Sequence, residues 1–185
     1  MPAAARPANE AQRLQALYEC DILDTPQERE FDDLTRLACR LMGTPVSIIS
    51  LVDADRVWVK SACNADVKQL PRDTAPCPHV ILQNEPLIIM DATRDPRLCD
   101  CPLVTGEPHV RAYAGVPLVT IDGLPVGVLS VMDFRVRGFS ALDIEDLGCL
   151  ARQAIANMQL RREVNALAKT QAAAEAALET LRRVA

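Results

Sequence analysis

The residues best suited to chemistry lie in the polar middle of the chain. Both histidines and three of the seven cysteines fall within residues 77–109. They occur as Cys77-Pro78-His79, as Cys99-Asp100-Cys101 and as His109. Thiols and imidazoles are the side chains that bind zinc or iron and that carry out redox chemistry.

Three interpretations of these thiols and imidazoles follow from the residues alone. They serve structural or pocket-lining roles, because cysteines are among the side chains most often buried. They bind a metal ion, although the C-x-H and C-x-C spacings differ from the usual separations in zinc knuckles. They form a redox pair, in which Cys77 is the better partner for Cys101 because a direct C-x-C disulfide is strained.

Charged and aromatic residues near this segment complete a candidate ligand-binding site. Cys77 and His79 begin a predicted short helix, whose N–H groups favour a thiolate or an anionic ligand group. Arg94 and Arg111 would add positive charge, so we expect an acidic or polar ligand. Tyr113 enters a strand from a long loop and faces either the pocket or the core. The predicted ligand-binding residues are Cys77, His79, Asp91, Arg94, Cys99, Cys101, His109, Arg111 and Tyr113.

Composition argues against several classes of partner. The 185-residue chain carries a net charge of −5 and is only 3% aromatic, which argues against nucleic acids and anionic membranes. No apolar run reaches the roughly 18 to 20 residues of a membrane span, and the N-terminus lacks the apolar region of a secretory signal. We therefore expect a cytoplasmic protein with free thiols, no nucleic-acid partner and no membrane insertion.

Two helices are predicted before the first strand. The first covers about residues 10–20, with Leu14, Leu17 and Tyr18 on one face. The second follows Thr25-Pro26-Gln27-Glu28, in which threonine caps the helix, proline takes the first position and glutamate reaches back to the cap. Its apolar residues are spaced as one helical face. That predicted face is Phe31, Leu34, Leu37, Ala38, Leu41 and Met42.

Two β-hairpins are predicted from apolar runs that are bounded by turn residues. Residues 46–53 and 56–62 form the first, with a tight turn between them. Residues 112–120 and 125–133 form the second.

Between the hairpins the pattern is irregular. Residues 77–83 predict a short helix and residues 86–91 a short buried strand. Residues 63–76 and 92–110 are predicted to be loops. The second is long enough that it should be functional or contain a short helix of its own.

The last helix is predicted to begin after Ser140, with Asp143 three residues on, and no glycine or proline ends it after Gly148. Its buried face should comprise Leu147, Leu150, Ala151, Ala154, Ile155 and Met158. Further along, a heptad spacing predicts a coiled coil that joins two copies of the chain; a single solvated helix is the alternative. The heptad positions are Leu160, Val164, Leu167, Gln171, Ala174, Leu178 and Leu181.

Helices at both ends and two hairpins around a middle strand predict an α+β fold, with an antiparallel sheet and helices beside it. Motifs of nucleotide hydrolysis, zinc proteolysis and serine hydrolysis (GxxxxGK[ST], HExxH and GxSxG) are absent from the sequence. The residues therefore specify no catalytic group, metal ligand or cofactor.

Several long blocks resemble bacterial GAF sensory domains, in the order in which that family carries them. The resemblance begins with LYECDILDTPQEREFDDLTRLACRLMGTPVSIISLVDADRVWVKS and continues with PRDTAPCPHVILQNEPLIIMDATRDPRL. It goes on through PLVTGEPHVRAYAGVPLVTIDGLPVGVLSVMD and ends with FSALDIEDLGCLARQ. It covers about residues 10–160, most of the chain.

This resemblance implies a six-stranded antiparallel sheet with the terminal helices on one face. The other face, roofed by the middle loops, should hold a pocket for a small-molecule ligand. The family commonly dimerises through its terminal helices and signals to an output domain, often a histidine kinase or a diguanylate cyclase. We therefore divide the chain into a disordered N-terminus (1–9), a sensory domain (10–159) and a signalling helix (160–185).

Two related groups of proteins keep other functions open. Free methionine sulfoxide reductases also use a GAF-like fold, and the spacing of Cys77 and Cys101 resembles that of a cysteine pair in that family. However, Ser130 stands where an acidic residue is expected. Phytochrome-related GAF domains attach a linear tetrapyrrole to a cysteine that histidine follows directly, whereas here Pro78 intervenes.

The sequence thus predicts a sensory module that is not itself an enzyme. We expect it to bind a small molecule or to sense redox state, and to signal through a dimeric C-terminal helix. The alternative is a GAF-fold free methionine sulfoxide reductase that uses Cys101 and Cys77.

Overall fold

A computed structural model describes residues 2–184, with the side chains of residues 2–175. Its elements follow one another as α1 (Glu10–Glu19), α2 (Arg29–Met42), β1 (Val46–Val52), β2 (Arg56–Cys63), β3 (Gln69–Pro71), a 3₁₀ turn (Arg72–Thr74), α3 (Cys77–Gln83), β4 (Leu87–Ile89), α4 (Pro102–Thr105), β5 (Ala112–Val119), β6 (Pro125–Asp133) and α5 (Ala141–Val184).

The strands form one antiparallel sheet in the order β3-β2-β1-β6-β5-β4. The predicted hairpins β1–β2 and β5–β6 are both present, and β1 pairs with β6 to join them at the centre. The α+β fold class and the six-stranded sheet are therefore confirmed. Within β1–β2, Ser50 pairs with Val59 and Ile49 with Ser61, so Lys60 is the extra residue of a bulge.

Successive side chains of the central strands point to opposite faces of the sheet, and each face contributes to its own apolar core. Ile49 and Leu51 of β1 lie in a core with α1, α2 and α5, which we call the helix-side core. Ile48 and Val52 lie in a core with α3 and the middle loops, which we call the loop-side core. Both faces of the sheet are covered, which explains why β1 and β6 are almost continuously apolar.

The predicted apolar face of α2 is partly wrong. Phe31, Leu34, Ala38 and Met42 are buried in the helix-side core, but Leu37 and Leu41 are 43% and 50% exposed. The buried positions advance by three or four residues, which leaves Leu37 and Leu41 beyond the edge of the stripe. Gly43 ends the helix in the left-handed conformation, with φ of 59°.

The predicted start of α2 is also wrong. The helix begins at Arg29 after Glu28, and no side chain caps it. Thr25 instead donates its hydroxyl to the Ile22 carbonyl oxygen at 2.6 Å and accepts a hydrogen bond from Lys60. The buried ammonium of Lys60 therefore holds the segment that the sequence assigned to a capping box.

Two smaller predictions differ from the structure, and a third is confirmed. Tyr18 is 52% exposed, because its hydroxyl donates to Asp53 Oδ1 at 2.9 Å instead of facing the core. Within the predicted loop 63–76, β3 pairs with the start of β2. Its proline and its length of three residues gave no strand signal. Within the loop 92–110, the short helix α4 is present as expected.

Helix α5 begins as predicted. The Ser140 amide donates to Asp143 Oδ2 at 2.7 Å, and the Asp143 amide donates to Ser140 Oγ at 3.1 Å. All six residues of its predicted buried face are buried, and the helix continues without interruption. Of the heptad positions, the side chains of Leu178 and Leu181 lie outside the described residues. Among the described residues, no helix combines the length and the apolar character that crossing a membrane requires.

Candidate functional site

The centre of the loop-side core contains four polar side chains. Cys77 begins α3, and its Sγ lies 3.2 Å from the hydroxyl of Ser50 on β1. The Tyr113 hydroxyl lies against the side chains of Cys77 and Ser130 and is fully buried, yet it makes no hydrogen bond of good geometry. The Tyr113 ring covers Gly115, where any Cβ would overlap the tyrosine.

Cys77 is buried, and its surroundings favour the protonated thiol. Burial raises the pKa of Cys77, and the Ser50 and Tyr113 hydroxyls beside its thiol offset only part of that effect. Burial likewise raises the pKa of Tyr113 well above its usual value. The start of α3 was expected to favour a thiolate or an anionic ligand group. For the Cys77 thiolate, loss of hydration opposes the effect of the few N–H groups of this seven-residue helix.

His79 is a buried polar residue two positions beyond Cys77 on α3. Its Nε2 is buried and has no hydrogen-bond partner. Burial lowers the pKa of His79, and the neighbouring Asp95 and Arg97 act on it in opposite directions. A backbone contact with Pro2 opposes part of the effect of burial.

The two cysteines of the Cys99-Asp100-Cys101 segment have different surroundings. Cys101 is 1% exposed, precedes α4 and donates its thiol to the Thr74 carbonyl oxygen at 3.3 Å. Burial raises the pKa of Cys101. Cys99 is only half-buried. The structure thus brings Cys77 and Cys101 into one core and leaves Cys99 at its edge.

The charged candidates lie at the surface of the loop. Arg94 is 87% exposed and lies 3.4 Å from Asp91 Oδ2. His109 lies near the exposed Glu107, with 3.7 Å between Nε2 and Oε1. Arg111 donates from Nη1 to the carbonyl oxygens of Val104 and Val110, both at 3.1 Å, and so holds α4 against β5.

A cavity of about 370 Å³ lies between the sheet and the middle loops. Its size suits a small-molecule ligand. None of the nine predicted residues lines it, and its wall is mostly apolar. The lining residues are Val46, Ile48, Asn64, Ala65, Asp66, Val67, Leu70, Leu103, Pro108, Val110, Met132 and Phe134. Arg94 and Arg111 led us to expect a positively charged pocket for an acidic or polar ligand, and this apolar lining differs from that expectation.

A charged cluster on the other side of the sheet escaped sequence reasoning. The side chain of Lys60 is fully buried, and its Nζ donates to Thr25 Oγ1, the Pro26 carbonyl oxygen and Glu28 Oε1 at 2.9, 2.7 and 3.0 Å. Glu28 Oε1 also accepts from Arg161 Nε of α5 at 2.8 Å. The signal that the sequence offers is a lysine directly after the apolar run Val57-Trp58-Val59 of β2.

Burial lowers the pKa of Lys60, although Glu28 acts in the opposite direction. For Glu28 burial acts upward, but hydrogen bonds from Arg161 and Lys60 lower its pKa. A cavity of about 470 Å³ lies beside Lys60, between β2 and the segments before α2 and β3.

The described residues contain no cluster of side chains that could bind a metal ion. Nowhere in them do three histidine, cysteine, aspartate or glutamate side chains come together as a metal site requires. All seven cysteines are described, and each is a free thiol.

Comparison with known proteins gives consistent matches. A model of the GAF domain family matches residues 27–158. A cyclic di-GMP phosphodiesterase of Pseudomonas aeruginosa is 34% identical over 160 residues, which are 86% of this chain. The chain spans 27% of that relative's length.

Two solved structures share the fold at low sequence identity. The GAF domain of a phosphoenolpyruvate-protein phosphotransferase from Coxiella burnetii is 16% identical, with a TM-score of 0.65 over 85% of this chain and 97% of that chain. A type II free methionine-R-sulfoxide reductase from Thermoplasma acidophilum is 14% identical, with a TM-score of 0.60 over 70% of this chain and 90% of that chain.

Proposed function

Because the chain belongs to the GAF domain family, we propose that it is a sensory module that binds a small molecule and passes a helix movement to an output domain. The observation that carries this proposal is the cavity of about 370 Å³ on the loop side of the sheet. Strand β6 contributes Met132 to its lining, and the same strand also packs against α5.

Strand β6 connects the cavity to the helices by its alternation. Met132 lines the cavity, whereas its neighbour Val131 lies in the helix-side core with Leu147 and Leu150 of α5. A ligand that displaces Met132 therefore acts one residue away from the surface on which α5 rests. Since packed interiors have few voids, a shift on one face of β6 is transmitted to the other.

The lining indicates the class of ligand. A mostly apolar wall with Asn64 and Asp66 at its edge favours a compact apolar molecule with one polar end. The nine predicted ligand-binding residues remain a prediction. For most of them, contact with a ligand would require the packing of loop 92–110 to open.

Helix α5 supplies the proposed output. Its first part is buried in the domain, and its later part exposes Leu160, Val164 and Leu167, which are 60%, 54% and 70% exposed. Such a stripe on a long helix suits a coiled-coil contact with a second copy of the chain. We propose this dimer as the route of the signal, with the sensory domain at 10–159 and the signalling helix from 160 onward.

The relative from Pseudomonas aeruginosa bears on the output domain. Because it is named a cyclic di-GMP phosphodiesterase, we favour an output enzyme of cyclic di-GMP turnover over a histidine kinase. The predicted diguanylate cyclase belongs to that same chemistry. In this proposal the segment described regulates the output domain. We place it in the cytoplasm and expect no nucleic-acid partner.

Native mass spectrometry of the purified chain tests the proposal. We expect a dimer that carries a small-molecule adduct, and we expect Leu103→Trp, which fills the cavity from α4, to lose the adduct. Leu82→Trp is the matched control, because Leu82 is on α3, is 39% exposed and does not line the cavity. An adduct that survives Leu103→Trp in a folded protein would place the ligand elsewhere.

A further inference from the structure

Helix α2 runs alongside strand β2, so that contacts further along the helix fall further along the strand. Lys60 Nζ lies 5.1 Å from the centre of the Phe31 ring. Ser61 Oγ donates to Asp32 Oδ1 at 2.6 Å and lies 2.9 Å from Thr35 Oγ1. Later residues of the helix therefore meet later residues of the strand.

The next contact in this series joins two cysteines. Cys39 lies four residues beyond Thr35, an advance of about 6 Å along the helix axis. Cys63 lies two residues beyond Ser61, an advance of about 6.6 Å along the strand. Because these advances are nearly equal, the side chains of Cys39 and Cys63 meet, and the two thiols lie close enough for Cys63 to affect the pKa of Cys39.

The two thiols differ in access to solvent. Cys39 is 8% exposed, between α2 and the sheet. Cys63 is half-buried at the end of β2, where Asn64 turns the chain with φ of 57°. Burial raises the pKa of Cys39 to about 12, and contact with Cys63 adds to that effect. An oxidant in solution therefore meets Cys63 first, with a protonated thiol directly behind it.

We propose that Cys39 and Cys63 form a redox-active dithiol that hydroperoxides convert to a disulfide between α2 and β2. The pair lies outside the cavity lining and outside the Cys77 and Cys101 core. The inference therefore stands whether or not the proposed ligand binds.

The chemistry balances in two steps. The sulfur of Cys63 attacks one oxygen of the hydroperoxide, and the O–O bond breaks. The departing oxygen takes the proton of the Cys63 thiol and leaves as an alcohol, or as water from hydrogen peroxide. The sulfur of Cys39 then attacks the resulting sulfenic acid, the S–S bond forms, and the hydroxyl group leaves as water with the thiol proton. Two thiols lose two electrons in total, and the peroxide gains them.

The disulfide would tie α2 covalently to the sheet. Because α2 packs beside α5 in the helix-side core, the link fixes one of the surfaces on which α5 rests. Oxidation thus offers a second input to the same helix.

Peptide mapping after oxidation tests the proposal on the folded, full chain. The protein is treated with hydrogen peroxide, its free thiols are alkylated, and it is digested with trypsin without reduction. We expect the peptide 37–40 linked to the peptide 61–68, each with one cysteine, at a mass about 2 Da below their sum. Two of the seven cysteines should no longer be alkylated, because a disulfide has no free thiol.

The controls separate this pair from the other cysteines. Cys77→Ser should leave the linked peptides unchanged, whereas Cys63→Ser should abolish them and leave Cys39 reduced. A dominant link between peptide 73–94, which contains Cys77, and peptide 98–111, which contains Cys99 and Cys101, would overturn the proposal. So would oxidation of Cys63 to sulfinic acid while Cys39 stays a free thiol, because the neighbouring thiol should react before a second peroxide does.

Discussion

Lys60 and Arg161 donate to the same oxygen atom, Oε1 of Glu28, at 3.0 and 2.8 Å. One donor is buried in the sheet and the other belongs to α5 just beyond the buried part of the domain. The carboxylate of Glu28 therefore joins α5 to β2 through charge-assisted hydrogen bonds.

Removing the Glu28 carboxylate should destabilise the domain more than removing the Arg161 side chain of α5. Glu28→Ala leaves the buried ammonium of Lys60 without its counter-charge and should cost about 2–3 kcal/mol of unfolding free energy. Arg161→Ala should cost about 0.5–1 kcal/mol, because its partner is partly solvated. Urea unfolding measures both, with the exposed Arg162→Ala as the control. Equal losses for Glu28→Ala and Arg161→Ala would mean that Lys60 does not depend on Glu28.

The corrected face of α2 gives a matched pair of leucines. Leu34 is 8% exposed and Leu37 is 43% exposed on the same helix. Leu34→Ala should cost about 2–4 kcal/mol through lost burial and a residual cavity. Leu37→Ala should cost less than about 1 kcal/mol. Urea unfolding that ranks the two in the opposite order would show that α2 is rotated relative to the structure.

Stability should depend on pH through Glu10. Burial alone would raise the pKa of Glu10, but hydrogen bonds from Arg13 and Arg72 lower it to about 2 from its usual 4.5. Since the folded-state pKa is the lower one, this stabilisation is complete above about pH 4.5 and is lost as the pH falls towards about 2. Glu10→Gln should therefore cost up to about 3 kcal/mol at pH 7 and far less near pH 2.

Urea unfolding across that pH range measures the Glu10 effect, and the exposed Glu30→Gln is the control. A difference between wild type and Glu10→Gln that stays constant with pH would show that Arg13 and Arg72 do not select the charged carboxylate.

If the chain were a free methionine sulfoxide reductase, its turnover would require Cys101. With free methionine sulfoxide and a thiol reductant, we expect no turnover by the wild-type chain, because burial keeps Cys77 and Cys101 protonated. Cys101→Ser should leave the fold intact. Robust turnover by the wild type that Cys101→Ser abolishes would establish the reductase instead.

Periodicity was enough to predict most of the fold. Both central hairpins, α3 and the buried face of α5 followed from apolar spacing and capping residues, because those elements each bury one regular face. The start of α2 could not be predicted this way. Thr25 and Glu28 form a capping-box pattern locally, but the distant Lys60 binds both side chains instead.

The site was less predictable for the same reason. Cysteine and histidine spacing located the segments around α3 and α4, and the structure does place Cys77, Cys101 and Tyr113 in one core. The cavity, however, is lined by ordinary apolar residues such as Val46 and Met132, which sequence cannot distinguish from core. The contact between Cys39 and Cys63 depends on how α2 lies along β2, which no local pattern encodes.

The proposal that α5 joins two copies of the chain, and so carries the signal, is tested most directly by sedimentation velocity. Replacing Leu160, Val164 and Leu167 together by serine should convert the dimer to a monomer, as should truncation after Gln159. Replacing Arg162, Glu163 and Ala166 by serine, on another part of the same exposed helix, should leave the dimer intact. Dimers of unchanged strength in both the leucine–valine variant and the truncated chain would contradict it and place the interface on the domain itself.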